Sequence, residues 1–166
     1  MSIRKRARVL EGGFMVGPQA RFAIIQSRFN QSVTDALAEG AVDVLIRHGV
    51  EAERIDLIRV PGAFEIPYAA SLAHARGYAA LICVGAVVRG ETPHFEYVAQ
   101  HSTAGVAAFN ARGEAPVVMG ILTCDTMEQA RDRSGGKAGN TGADAALTAL
   151  EMVSLRARLE EGASEG

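Results

Sequence analysis

The stretch that decides the fold is residues 81–97, LICVGAVVRGETPHFEY. Its beginning, Leu81 to Val84, predicts a buried strand because a short continuous apolar run is typical of strands covered on both faces. A turn follows, and a helix begins near His94. Thr92 is the predicted N-cap of that helix and Pro93 its first helical residue, since these residue types favour those positions. The stretch is therefore a strand–turn–helix unit of an α/β fold.

His94 lies where an α/β protein places its ligands. In an open α/β sheet, ligands bind beyond the carboxyl ends of the strands, and a histidine there can transfer protons near neutral pH. The free backbone N–H groups at the start of the following helix are suited to an anion such as phosphate. The segment therefore predicts a proton-transfer group beside an anion site.

The rest of the chain repeats this alternation of strand and helix. Short apolar runs predict strands, and apolar residues at helical spacing predict the helices between them. The predicted strands are residues 22–26, 55–60, 79–84 and 116–123, and the predicted helices are residues 32–48, 65–76, 94 onward, 127–133 and 143–159. Strands that alternate with helices form a parallel sheet covered on both faces. We therefore predict a three-layer α/β/α fold around a four-stranded parallel sheet.

Length and composition predict one domain. The 166 residues are enough for one sizeable core, so residues 1–166 are expected to form a single domain, with a flexible arm at 1–8 and a frayed tail at 160–166. Residues 8–16 are a weak fifth strand. The pattern leaves open whether this strand pairs within its own chain or with a neighbouring subunit.

Charge and cysteine content exclude several classes of protein. The formal net charge is −2, and the basic cluster at residues 4–8 is more typical of a solvated arm than of nucleic-acid binding. The sequence contains no signal peptide and no apolar run of membrane-spanning length. Cys83 and Cys124 lie in or beside apolar runs, so they are expected to be reduced core thiols of a cytoplasmic protein.

Polar and aromatic residues follow each of the four predicted strands. These segments are residues 27–30, 61–65, 85–94 and 123–125. Because the carboxyl ends of parallel strands meet at one edge of a sheet, the four segments are expected to lie close together. Loops at this edge commonly carry function, so the sequence predicts one site there.

Four segments also carry a resemblance to a known family. They are residues 28–30 (RFN), 60–67 (VPGAFEIP), 85–98 (GAVVRGETPHFEYV) and 135–142 (GGKAGNTG). In this order and spacing, over about residues 20–157, the chain closely resembles the lumazine synthases, which catalyse the penultimate step of riboflavin biosynthesis. The resemblance implies a flavodoxin-like fold and a transferase that needs neither a metal nor a cofactor.

The implied reaction is a condensation. The amine of 5-amino-6-ribitylaminouracil attacks the carbonyl of 3,4-dihydroxy-2-butanone 4-phosphate, and loss of water and phosphate with ring closure gives 6,7-dimethyl-8-ribityllumazine. The catalytic histidine of the family falls on His94, which would shuttle protons. Taken alone, His94 is also compatible with a helix-start histidine that only contacts solvent.

The resemblance assigns the phosphate to Glu91, Thr92 and Arg133. Thr92 offers a hydroxyl and a backbone N–H, and Arg133 offers a bidentate guanidinium. The Glu91 carboxylate would repel phosphate, so only its backbone N–H suits the role. Without the resemblance, Arg133 is an ordinary cation at the end of a helix.

The pyrimidine is assigned to a second group of residues. Phe29 would stack on the ring as an aromatic platform, although the residue alone is equally typical of a core. Met119 stands where the family commonly has phenylalanine, and its softer side chain can refill the pocket. The ring edge and the ribityl chain are assigned to Ala63, Phe64, Glu65, Ala86, Val87 and Val88.

The resemblance further implies a homo-oligomer. Met119 and Arg133 of one subunit would reach the His94 and Phe29 of the next, which makes a cyclic pentamer the minimal active unit. Residues 9–14 would add a strand to the neighbour's sheet edge.

Two further features of assembly are implied. The turn at residues 135–139 is similar to that of family members that form sixty-subunit icosahedral shells. Riboflavin synthase is a candidate partner protein.

Two other sequence patterns do not support a functional site. His94 and His101 are seven residues apart, roughly 10 Å along a helix, which is too far for one metal ion. Residues 136–138 lack the Ser or Thr of a phosphate-binding Walker loop. Two other classes stay open at this level: a flavodoxin-like module that binds a flavin or nucleotide without turnover, and a shell or storage protein.

Overall fold

The protein is described here from a computed structural model, which describes residues 6–163. Within these residues, six strands and five α-helices follow one another. The strands are β1 Phe22–Ser27, β2 Ile55–Val60, β3 Ala80–Val88, β4 Val117–Cys124, β5 Ser134–Gly136 and β6 Gly139–Asn140. The helices are α1 Gln31–Arg47, α2 Ile66–His74, α3 His94–Asn110, α4 Met127–Asp132 and α5 Thr141–Ala163, with 3₁₀ turns at Ala52–Arg54 and Ala63–Glu65.

Four of the strands form one parallel sheet. Their order is β2-β1-β3-β4, and every neighbouring pair is parallel. The chain moves from β1 outward to β2, returns past β1 to β3, and then continues outward to β4. The strand order therefore reverses between β1 and β3, and such a reversal opens a crevice at the carboxyl ends of the strands.

Two hydrophobic clusters hold the helices against the sheet. On one face, residues of α1 and α5 such as Leu37 and Leu150 pack on Ile24 and Ile82. On the other face, residues of α2 and α3 pack on alternate strand residues, which include Ile25. Strands buried on both faces are largely apolar, and the first four residues of β1, Phe22 to Ile25, are apolar and buried. The predicted α/β/α fold with a four-stranded parallel, flavodoxin-like sheet is confirmed.

Strand β3 is longer than predicted. The sequence placed its end at Val84, but pairing with β4 continues to Val88, which lies opposite Cys124. The glycine at position 85 does not end the strand because β4 provides ladder partners on that side. Ala86, Val87 and Val88 therefore lie on a strand and not on a flexible loop.

The start of α3 also differs from the prediction. Pro93 occupies the cap position, His94 is the first helical residue, and no side chain caps the helix. The predicted N-cap role of Thr92 was therefore wrong. Pro93 already has near-helical angles, φ −64° and ψ 0°, so the helix begins without a separate capping residue.

The glycine-rich segment after α4 forms a small antiparallel hairpin, β5–β6. Asn140 ends it and caps α5, since its Oδ1 accepts hydrogen bonds from the N–H groups of Gly142 (2.9 Å) and Ala143 (3.1 Å). Its Nδ2 donates to the carbonyl of Ala36 at 2.9 Å. One asparagine therefore starts the last helix and ties it to α1.

The N-terminal segment forms no strand within this chain between residues 8 and 16. It lies along α5, where the Gly13 N–H donates to Ser154 Oγ at 3.0 Å and Arg158 donates to the Glu11 carbonyl at 2.7 Å. The fifth strand is therefore absent from the single chain, and its pairing with a neighbour stays a prediction. Part of the predicted arm, 1–5, and part of the tail, 164–166, lie outside the described residues.

Among the helices of residues 6–163, none is both long enough and apolar enough to span a bilayer. Cys83 and Cys124 are unpaired and buried, as predicted. Burial raises the pKa of the Cys83 thiol to about 12 and also raises the pKa of Cys124. A thiolate nucleophile is therefore unfavourable at either position.

We expect Gly142→Ala to destabilise the fold strongly. A Cβ at position 142 would lie 1.9 Å from the carbonyl oxygen of Leu37, so α5 and α1 would have to separate. Overpacking of this kind costs about 3 kcal/mol or more when the obstacle is backbone. The measurement is the free energy of unfolding in denaturant.

The matched control is Gly162→Ala on the same helix, where a Cβ meets nothing within 4 Å. That variant should be as stable as the parent or up to about 1 kcal/mol more stable, since alanine favours helix. Equal stability of the two variants would contradict the close contact of α5 with α1.

Candidate active site

A cavity of about 720 Å³ opens at the carboxyl ends of β1, β2 and β3, where the strand order reverses. The loops after these strands and the first turns of α3 form its walls. It is lined by Phe29, Asn30, Pro61, Gly62, Ala63, Phe64, Glu65, Ala86, Val87, Val88, Gly90, Thr92, His94, Phe95, Tyr97 and Val98. The wall combines aromatic surface with one carboxylate and one imidazole, a composition typical of small-molecule sites.

The loop after β1 holds Phe29 out over the cavity, with 72% of its side chain exposed. Asn30 follows in the left-handed conformation, φ 59° and ψ 47°, which asparagine tolerates better than most residues. Its Nδ2 donates to the Ala86 carbonyl at 2.9 Å. The N–H of Phe29 donates to the Pro61 carbonyl at 3.1 Å. These bonds fix Phe29 between the ends of β2 and β3, so it is a platform and not a core residue.

The loop after β2 supplies Ala63, Phe64 and Glu65. Ala63 is buried beneath the cavity, while the Phe64 ring stacks on His101 of α3 with ring centroids 3.9 Å apart. The Glu65 carboxylate turns back over Gly62, where a Cβ would stand 3.1 Å from its Oε2. A second aromatic surface and an acid therefore face the same space as Phe29.

The end of β3 and the start of α3 complete the wall. Ala86 and Val87 are buried, Val88 is partly buried, and Thr92 and His94 are exposed at the rim. The first N–H groups of an α-helix have no partner within the helix, and no side chain caps α3. An imidazole and a helix start without a side-chain cap therefore adjoin one cavity.

Arg89 lies beside this rim and forms two ion pairs. Its Nε donates to Asp125 Oδ1 at 2.8 Å, its Nη1 donates to Glu96, and its guanidinium lies over the Phe95 ring, 4.3 Å from the centroid. The hydrogen bond from Arg89 lowers the pKa of Glu96, and those to Asp125 and Glu96 raise the pKa of Arg89. The first turn of α3 is thus tied to the end of β4.

Three predicted site residues do not line the cavity: Glu91, Met119 and Arg133. Glu91 is exposed in the turn before α3. Met119 is 49% exposed on the edge strand β4 and faces a separate apolar groove with Met152 and Leu159. Arg133 ends α4, where its Nη1 donates to the Gln129 carbonyl at 3.0 Å. Within one chain these three residues therefore do not share the cavity with His94.

The sequence prediction missed several residues of the wall. Tyr97, whose side chain is 69% exposed, is the largest of them. Tyr97 lies three residues after His94, and side chains at this spacing are neighbours on a helix surface. The sequence therefore contained a pattern that places Tyr97 beside His94. Phe95 and Val98 also belong to the wall, and both contact the core as well as the cavity.

The site can bind a flat, polar ring and exchange protons with it. Phe29, Phe64 and Tyr97 offer aromatic faces, strand β3 offers backbone groups, and His94 and Glu65 offer titratable side chains. Among residues 6–163 no cluster of three or more His, Cys, Asp or Glu is placed to hold a metal ion.

The chain matches a known protein family. Residues 19–157 match the family described as 6,7-dimethyl-8-ribityllumazine synthase. The match runs from before β1 into α5 and includes every residue of the cavity wall. The chain therefore belongs to the 6,7-dimethyl-8-ribityllumazine synthase family.

Proposed function

We propose that the protein condenses 5-amino-6-ribitylaminouracil with 3,4-dihydroxy-2-butanone 4-phosphate to 6,7-dimethyl-8-ribityllumazine, with release of phosphate and water. Family membership supports lumazine synthase activity in riboflavin biosynthesis. The observation that carries the proposal is the cavity in which an imidazole, aromatic platforms and an uncapped helix start meet.

The pyrimidine would occupy the space between the aromatic side chains. Phe29 offers an exposed face for stacking, and stacking on aromatic rings suits a flat heterocycle. Phe64 is held from behind by His101. The backbone of residues 86–88 would bind polar atoms at the ring edge, and Glu65 would accept hydrogen bonds from ribityl hydroxyl groups.

His94 would move the protons that the condensation requires. Attack by the pyrimidine amine on the ketone carbon releases a proton from nitrogen, and loss of water from the adduct requires a proton on oxygen. Phosphate elimination and ring closure require further proton transfers. One imidazole at the rim can serve as both acid and base, since one ring nitrogen can accept a proton while the other donates one.

The phosphate would lie at the start of α3. The backbone N–H groups of Glu91 and Thr92 and the dipole of a 17-residue helix favour an anion there. Arg133 would add a charged clamp, but it does not line the cavity of its own chain. The clamp must therefore come from another subunit if Arg133 takes part.

A ring of subunits resolves this separation. Met119 and Arg133 lie at or near the β4 side of the sheet, whereas Phe29 lies at the end of β1. A heterologous contact places the β4 side of one subunit against the cavity of the next and closes into a cyclic pentamer. The apolar groove beside Met119, with Met152 and Leu159, offers surface for such a contact.

The experiment that tests the function is to mix both substrates with the protein and follow the lumazine chromophore. Turnover supports the proposal. Tight flavin binding without turnover would instead identify a flavin-binding module. Large particles with neither property would identify a shell protein. Light scattering on untagged protein distinguishes a pentamer from a sixty-subunit shell.

We expect His94→Ala to lower kcat far more than it weakens substrate binding. General acid–base catalysis typically contributes about 10²–10⁴-fold to the rate. The rate of the uncatalysed condensation is the lower limit of the rate measured with the variant. The measurement is steady-state kinetics with separate determination of Kd for the pyrimidine. His48→Ala, at the end of α1 and outside the cavity wall, is the control and should keep kcat. An unchanged kcat in His94→Ala would remove this residue from the mechanism.

We expect Arg133→Ala to weaken the phosphate-bearing substrate selectively. A hydrogen bond to a charged group is worth about 1.5–3 kcal/mol, or roughly tenfold to a hundredfold in affinity. The Kd of the pyrimidine should change little. Arg131→Ala makes the same charge change on the same helix and should leave both affinities unaltered. Equal losses for both substrates in Arg133→Ala would point to assembly and not to phosphate binding.

We expect mixed rings of His94→Ala and Arg133→Ala subunits to regain activity. If each site takes His94 from one subunit and Arg133 from the next, about a quarter of the sites in a random equal mixture are intact. The measurement is turnover after joint refolding, compared with each variant refolded alone. Activity no greater than the mean of the two variants would show that sites are not shared.

A further inference from the structure

The first turn of α3 needs support that a helix normally receives from its cap. The residue at the cap position is Pro93, whose side chain cannot accept a hydrogen bond, and the structure shows no side-chain cap. Helices without a capping side chain are less stable at their start by about 1 kcal/mol. Yet this turn carries His94, whose ring must be held in place to transfer protons.

Arg89 contacts the two residues that follow His94. Its Nη1 donates to the Glu96 carboxylate, and its guanidinium lies 4.3 Å from the centroid of the Phe95 ring. Phe95 packs in turn against the core cluster beneath α3. One side chain thus contacts two residues in the first turn of the helix.

The other end of this arrangement is anchored on the sheet. The N–H of Arg89 donates to the Cys124 carbonyl at 2.9 Å, which extends the pairing of β3 with β4 by one residue. Its Nε donates to Asp125 at 2.8 Å, and the N–H of Asp125 donates to Gln129 at 2.9 Å. The guanidinium therefore joins the start of α3 to the most regular part of the fold.

We infer that Arg89 is a positioning residue, which holds the first turn of α3 against the end of β4 and so fixes the place of His94. This inference rests on the proposed role of His94 in proton transfer. Arg89 does not line the cavity, so it acts through Phe95 and Glu96.

Phosphate binding is a poor alternative role for Arg89. Its Nε and Nη1 are both engaged by carboxylates, and the group of Arg89, Glu96 and Asp125 carries a net negative charge. An anion would be repelled by such a group. A planar fork that binds two carboxylates is, in contrast, well suited to fixing geometry.

The test compares Arg89→Met, Arg89→Lys and Glu96→Gln in the full-length protein. Arg89→Met should lower kcat by roughly 10- to 100-fold, as expected for a misplaced catalytic group, with KM for the pyrimidine within about twofold of the parent. Lysine is a point charge that can satisfy one carboxylate but not both, so Arg89→Lys should be intermediate. Adding Glu96→Gln to Arg89→Met should cost no more than Arg89→Met alone.

A second readout needs no turnover. Backbone hydrogen exchange at residues 98–101, whose N–H groups bond to the carbonyls of the first turn of α3, should accelerate in Arg89→Met while the unfolding midpoint stays within error. Arg47→Met is the matched control, since it breaks an exposed ion pair with Asp43 on α1 and should change neither exchange in α3 nor kcat. If the parent protein makes no lumazine, the proposed function fails, and exchange still tests the contact.

Several results would overturn the inference. One is unchanged exchange at residues 98–101, and another is an unchanged kcat in Arg89→Met. A rise in KM for the phosphate substrate alone would identify a direct phosphate contact. A fall in kcat accompanied by a lower unfolding midpoint and equally raised KM values for both substrates would identify a merely structural role. Glu96→Gln removes only one surface contact, so it remains informative if Arg89→Met does not fold.

Discussion

The structure depends on the parallel pairing of β1 with β3. This pairing places the first strand in the middle of the sheet, so that the chain must run outward in both directions from it. The strand order consequently reverses at this point, and the loops after β1 and β3 diverge to opposite faces. The cavity lies where they diverge. Because all four strands are parallel, their polar ends meet at the same edge, and residues distant in sequence come within reach of one ligand.

Two polar side chains, one in the cavity wall and one beside it, hold the segments that form the wall. Asn30 binds the Ala86 carbonyl and thereby locks the loop that carries Phe29, while Arg89 joins the start of α3 to the end of β4. Asn30 bonds to a backbone carbonyl of β3, and Arg89 bonds to the carboxylates of Asp125, after β4, and Glu96 of α3. Phe29, Phe64 and His94 stay exposed in this arrangement.

Within one chain the site is open on one side. The cavity wall contains aromatic, acidic and imidazole groups but no arginine or lysine, although the proposed ketone substrate carries a phosphate. The edge strand β4 exposes Met119 beside an apolar groove, and a large exposed apolar surface is a common mark of an interface. The ring of subunits proposed above would bring Arg133 to the cavity and cover this edge by the same contact.

The sequence by itself determined the alternation of strands and helices, because apolar runs and helical spacing are local patterns. It also determined which residues follow each strand, and hence most of the cavity wall. Local patterns could not show that β3 continues past Gly85, since only β4 supplies the partners. Nor could they show that α3 has no side-chain cap, or that Arg89 contacts the first turn of that helix. Tertiary structure decided these points, together with the separation of Met119 and Arg133 from His94, because each depends on contacts between segments far apart in the chain.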